Sequence, residues 1–307
     1  MSTPIFIHSL FRTGSTYIWS KFRKFDDYKC YYEPFHNELL GITKDGLDIV
    51  DKDALKFNKH PDQDKHYFYE YSDFIEDIGV NNFKESFVVQ EFCYNGDNQP
   101  LNTYIDMLLS TDGIPVLQFN RSSLRTKWFV DNYPGSINIY LYRNARDNFM
   151  SYERYLLLDN PFFSAMSLVI VAYQHRQPVF NWLHGYIDLP QISGDIEDDI
   201  DMCGTEIIKL STVSRYLLFY TTWYASLVFN ARYADFCLDI NKLTNSFTYN
   251  NSFVEYIVSK GIHSITFDDA NMNTFDEYAL DDDVFKFVEI LVHKKINSIV
   301  NSAVENV

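Results

Sequence analysis

Ser9-Leu10-Phe11-Arg12-Thr13-Gly14-Ser15-Thr16 is the stretch on which the fold turns. The run beginning Pro4-Ile5-Phe6-Ile7 predicts a strand over 5–9, a tight loop follows at 10–14, and a helix is expected over 15–25. Gly14 permits a tight backbone turn. The amides of Thr13 to Thr16 would point toward an anion at the helix N-terminus. Ser15 and Thr16 add hydroxyl donors, and Arg12 adds a rigid cationic fork. In physical type this is a phosphate-binding loop. It is not a Walker A sequence, because the glycine spacing and the following lysine are absent. From this segment alone, an ordinary N-capped helix start stays open.

Further along, a strand at 28–32 stops at Glu33-Pro34, since proline cannot donate to a ladder. Residues 36–85 show no clear period and read as short helices and loops. Strands are expected at 86–91 (SFVVQE), 115–119, 137–142 and 236–240. Helices are expected at 101–110, 122–132, 147–158, 164–185, 206–234, 251–260 and 284–300, with an acidic loop at 194–201. Asp281, Asp282 and Asp283 suit a helix N-terminus. Alternating strands and helices predict an α/β, P-loop-like three-layer fold: a central parallel sheet, helices on both faces and a helical C-terminal half. No repeat or linker divides the 307 residues, which read as a single domain. Its core spans 4–155, and a mostly helical region spans 156–307.

In such sheets the ligand crevice lies outside the carboxyl ends of the strands, and three candidate segments fall there. The first is the loop just described. In the second, Glu33 ends a strand expected beside the first, where a carboxylate near an anion can serve as a general base. A solvated loop glutamate is the alternative. In the third, Leu141-Tyr142-Arg143-Asn144-Ala145-Arg146-Asp147-Asn148-Phe149-Met150-Ser151, Arg143 sits at a strand tip and Ser151 one turn into a helix. A phosphate near that helix start would meet both side chains. Arg146 and Asp147 read as a local ion pair or cap. The alternative is a set of surface charges.

Composition narrows the function classes. The formal net charge of −16 argues against a general nucleic-acid partner. No segment approaches the ~18–20 apolar residues of a membrane span, and the start lacks a leader pattern, so a cytoplasmic protein without an anchor is expected. Cys30, Cys93, Cys203 and Cys237 form no CxxC pair and no zinc spacing. His8 reads as a hydrogen-bonded core histidine. His36 reads either as a pocket residue or as part of a surface loop. His175 and His184 lack metal spacing.

Taken together, the segments resemble the sulfotransferases that use 3′-phosphoadenosine 5′-phosphosulfate (PAPS). The family's 5′-phosphosulfate loop is similar to FRTGST here, and its strand–Arg–helix–Ser element is similar to LYRNARDNFMS. Glu-Pro after the second strand resembles the carbohydrate sulfotransferase branch. The resemblance covers residues 4–155. It implies that Arg12, Thr13, Gly14, Ser15 and Thr16 bind the 5′ end of PAPS and that Arg143 and Ser151 bind the 3′-phosphate. It also implies that Glu33 deprotonates an acceptor hydroxyl on a carbohydrate or other small molecule, leaving PAP. Members with a histidine base carry it after the strand that resembles PVLQFN; Gln118 and Asn120 stand there here, which leaves Glu33. Arg121 is a further candidate for donor contact. The donor carries its own activation, so no metal is expected. The rival readings are a small-molecule kinase of P-loop type and a catalytically inactive PAP-binding protein.

Overall fold

A computed structural model describes residues 3–40, 42–43, 66–75, 82–271, 275 and 278–304. The chain divides into two compact units: Met1–Tyr142 with Tyr233–Met272, and Arg143–Arg232 with Asn273–Val307.

The first unit is built on five parallel strands: β1 (Ile5–Ser9), β2 (Tyr28–Tyr32), β3 (Ile114–Phe119), β4 (Ile137–Tyr142) and β5 (Phe236–Asp239), in the order β2-β3-β1-β4-β5. Successive side chains of a strand face opposite ways, yet all five residues of β1 are buried. Both faces of the sheet are therefore covered, as expected when parallel strands are written as near-continuous apolar runs. The fold is α/β with three layers. Helix α1 (Ser15–Arg23) packs on β1, β2 and β3. Helices α2 (Gln99–Leu109) and α3 (Thr126–Asn132) flank β3 in sequence, and α2 is capped by Asn98, whose side chain accepts from Leu101 N at 3.1 Å. Helices α8 (Ile240–Asn245) and α9 (Phe247–Ser259) follow β5.

The chain leaves β1 toward β2 on one side and leaves β4 toward β5 on the other. Strand order thus reverses between β1 and β4, and ligands of open parallel sheets bind outside the strand carboxyl ends at such a point. Register pairs Ser9 with Leu141, so β4 runs one residue past the end of β1.

The second unit is helical: α4 (Ala145–Leu156), α5 (Phe162–Tyr173), a single turn at Pro178–Asn181, α6 (Ile196–Lys209), α7 (Thr212–Tyr233) and α10 (Asp282–Val304). Helix α5 packs against both α4 and α6. Among the described residues no helix is long and apolar enough to cross a membrane.

Several expectations are corrected. SFVVQE is not a strand: Glu85–Phe87 is a 3-10 turn and turns continue to Cys93. Phe87, Val88 and Val89 are fully buried, but a short apolar run does not by itself distinguish a strand from a buried turn. Here Ser86 bonds Glu91 twice, through its hydroxyl (2.6 Å to Oε1) and its carbonyl (3.0 Å from Glu91 N). The acidic run is a helix start and not a loop. Asp195 caps α6 by accepting from Glu197 N and Asp198 N, and the acids behind it favour the positive end of the helix. Asp199 is itself buried, taking bonds from Tyr173 Oη, Ser193 N and Gly194 N. The long helix expected at 164–185 ends at Tyr173, and a new turn starts at Pro178, a first helical position that proline tolerates. Of residues 36–85, the part between 44 and 65 and between 76 and 81 lies outside the described residues.

Candidate functional site

Residues 10–14 carry the chain from β1 into α1. Gly14 is the N-cap of α1 with φ 94°, a left-handed conformation that an L side chain resists. Arg12 adopts φ 61° and Glu33 φ 47°. Such backbone costs about 1–3 kcal/mol per residue and gathers at functional sites. Two of the four described non-glycine residues with positive φ are therefore residues that the sequence singles out, and they follow β1 and β2 at the same end of the sheet.

The loop is braced from β3. Asn120 Oδ1 accepts from Ser9 Oγ at 2.6 Å, Ser15 Oγ at 3.0 Å and Gln118 Nε2 at 3.0 Å. Thr13 Oγ1 donates to Leu10 O at 2.9 Å and closes the turn. Thr16 Oγ1 stands 3.5 Å from Tyr32 Oη, which ties the start of α1 to the residue before Glu33. The first amides of an α-helix lack intrahelical acceptors, so this end of α1 presents N–H groups, while the Thr13 and Ser15 hydroxyls hold the loop in shape.

Glu33 is 1% exposed. Its N–H donates to Gln118 O at 2.8 Å, which extends the β2–β3 pairing by one residue and fixes the side chain at the strand tip. Oε2 accepts from Arg121 Nη1 at 3.2 Å. Burial pushes the Glu33 carboxyl up to about 7, against the pull of Arg121 and of nearby donors at Asn120 and Gln118. Burial likewise holds the Arg121 guanidinium below its ordinary value, against Glu33. Both partners shift the way desolvation dictates, so burial outweighs their mutual attraction. A carboxyl that is half-ionised near neutral pH suits proton abstraction.

Arg121 is fully buried. Its guanidinium carbon lies 5.0 Å from the Phe11 ring centroid, and Nη2 reaches Asn37 Oδ1 at 3.4 Å. The sequence names Arg121 only as a candidate donor contact. Its partner is Glu33, 88 residues away. The signal available in the sequence was position: Asn120 and Arg121 are the first polar pair past the β3 run. His36 is half-buried; its Nδ1 accepts from Glu38 N and caps a turn, and burial, then the Arg121 charge, holds it well below its usual pKa. His8 is a core histidine, 2.7 Å from Ser122 Oγ and 3.2 Å from Asn138 Oδ1.

Arg143 and Ser151 belong to the second unit. Arg143 is 5% exposed and Ser151 is 7% exposed. Trp223 Nε1 donates to Arg143 O at 3.1 Å, and the guanidinium lies 5.8 Å from the Phe275 ring centroid. Asn144 caps α4 through Arg146 N and Asp147 N. Arg146 and Asp147 do not form a local ion pair. Arg146 binds Glu289 and Asp282 of α10, and Asp147 accepts from Tyr278 Oη at 2.9 Å. Surface clefts of about 560 and 470 Å³ in the second unit are lined by neither Arg143 nor Ser151. Among the described residues no three His, Cys, Asp or Glu side chains gather as a metal site.

No family model, curated protein or solved structure matches the chain.

Proposed function

We propose that the protein transfers the sulfuryl group of PAPS to an acceptor hydroxyl, with a carbohydrate as the favoured acceptor class. The observation that carries this reading is the buried carboxylate of Glu33 at the β2 tip, 3.2 Å from Arg121, beside a glycine-turned loop of anion-binding type. Glu33 takes the proton of the acceptor hydroxyl as its oxygen attacks sulfur. The bond from sulfur to the bridging phosphate oxygen breaks, and PAP leaves with the electron pair. Arg12 and the amides of Thr13 to Thr16 offset the charge that gathers on that oxygen. The family resemblance assigns the 3′-phosphate to Arg143 and Ser151. Four free cysteines accord with a reducing, cytoplasmic setting.

The direct test is to incubate the protein with PAPS labelled on sulfur and a panel of mono- and oligosaccharides, phenols and sterols. Label should move to a saccharide as PAP accumulates. Transfer confined to a phenol or sterol would reassign the acceptor, and no transfer to any hydroxyl would reject the reading.

A further inference from the structure

We infer that Arg121 is the positioning residue of the base: it holds the Glu33 carboxylate in register with the donor loop and sets the pH range in which that carboxylate accepts a proton. The inference rests on the sulfotransferase reading and deepens it.

The geometry is a bridge within the first unit. On one side Arg121 Nη1 meets Glu33 Oε2 at 3.2 Å, with both side chains 2% exposed or less. On the other, the guanidinium lies over Phe11, the residue before Arg12, at 5.0 Å from the ring centroid. A third contact, to Asn37 Oδ1 at 3.4 Å, anchors it to the turn after β2. One residue earlier, Asn120 binds Ser9 and Ser15 on either side of the donor loop. Two consecutive residues past β3 therefore fix the loop and the base to each other, which the near-attack alignment of a group transfer needs. An arginine suits the task, because its planar fork holds direction and its charge persists at working pH.

Among the described residues the groups that act on Glu33 are few. Arg121, Gln118 and Asn120 come from the end of β3, Tyr71 from the 3-10 turn Tyr69–Asp73, and Tyr32 from β2 itself. Tyr71 directs its hydroxyl to Tyr32 O at 2.9 Å. His36, which caps the turn after β2, also feels the Arg121 charge and is held neutral by burial. Among the described residues the cation that acts on Glu33 is Arg121, so its removal leaves a buried carboxyl whose charged form is favoured there by uncharged donors.

The experiment compares native protein with Arg121→Lys and Arg121→Met in two readouts. The first is kcat against pH for PAPS-dependent transfer. The second is the carbon-13 titration of the Glu33 carboxyl, assigned by its loss in Glu33→Gln, which needs no turnover. In Arg121→Met the midpoint of the base limb and of the carboxyl titration should rise together by about one pH unit or more. Activity lost at pH 7 should be regained in part at pH 9. Arg121→Lys should return most of the midpoint and less of kcat, since it restores charge without the fork. A merely structural role would lower kcat equally at every pH and leave both midpoints unmoved, which overturns the inference. If Arg121→Met does not fold, Arg121→Lys with an unmoved carboxyl midpoint and native kcat does the same. Absent transfer in the native protein with a rising carboxyl midpoint rejects the sulfotransferase reading while leaving the Arg121–Glu33 relationship intact.

Discussion

Ser15 Oγ donates to Asn120 Oδ1 at 3.0 Å, so the first residue of α1 is held by the first residue past β3, 105 positions away. The same oxygen accepts from Ser9 and Gln118. Removing it leaves Ser15 Oγ and Gln118 Nε2 to find new acceptors, at about 1–3 kcal/mol for each that fails, while Ser9 Oγ keeps Phe119 O at 3.2 Å. Asn120→Ala should lower stability by about 2 kcal/mol or more in urea and weaken PAP binding at least ~10-fold. Calorimetric titration and an unfolding curve check the two effects. Native PAP affinity in a destabilised Asn120→Ala would show that the loop keeps its shape without the brace.

Glu33→Gln keeps the shape of the side chain and removes its basicity. Turnover should fall at least ~100-fold, while PAP affinity changes little, because the donor does not need the carboxylate. Steady-state kinetics and PAP titration on one preparation separate the two. Near-normal turnover would remove Glu33 from the mechanism.

Arg143→Ala should cost roughly 1.5–3 kcal/mol of PAP affinity, the range of a charge-assisted hydrogen bond, and Ser151→Ala less. Adenosine 5′-phosphosulfate lacks the 3′-phosphate and should be nearly indifferent to both changes. Equal losses for the two nucleotides would mean that the residues act elsewhere or through folding.

His8 and Glu33 give stability opposite pH dependences. Burial drops the His8 pKa from 6.5 to about 4. Between those values the unfolded chain takes a proton that the folded protein refuses, so stability is lost as pH falls, by at most about 3 kcal/mol. Glu33 rises from 4.5 to about 7, so its contribution is full below pH 4.5 and is lost as pH rises through 7. His8→Gln should flatten the acid limb between pH 6.5 and 4 relative to the native protein. Parallel pH–stability curves for the two would show that His8 is protonated in the folded state.

The sheet was legible because its strands are short apolar runs with clear stops: the bounds of β1, β2 and β4 agree with those read from the residues. SFVVQE carries the same signal without the strand, since local bonds between Ser86 and Glu91 close it into turns. The turn between β1 and α1 was legible at Gly14. The partners of the charged residues were not. Arg121 meets Glu33 across 88 positions and Arg146 meets Glu289 across 143. No local pattern encodes which opposite charge a buried arginine reaches once the chain has folded. Arg146 beside Asp147 looked self-sufficient, yet both side chains are taken by residues beyond 275.

The proposed reaction requires that the protein bind a nucleotide phosphorylated at both ends of its ribose. Thermal shift with PAP without magnesium, set beside ATP and ADP with magnesium, measures this. A ligand bound only by the native state raises stability by about 2.7 kcal/mol at a hundredfold excess over Kd. PAP should stabilise the protein clearly and ATP or ADP much less. Stabilisation by ATP–magnesium with none by PAP would rule out PAPS-dependent transfer and assign the Arg12–Thr16 loop to a different phosphate-binding enzyme.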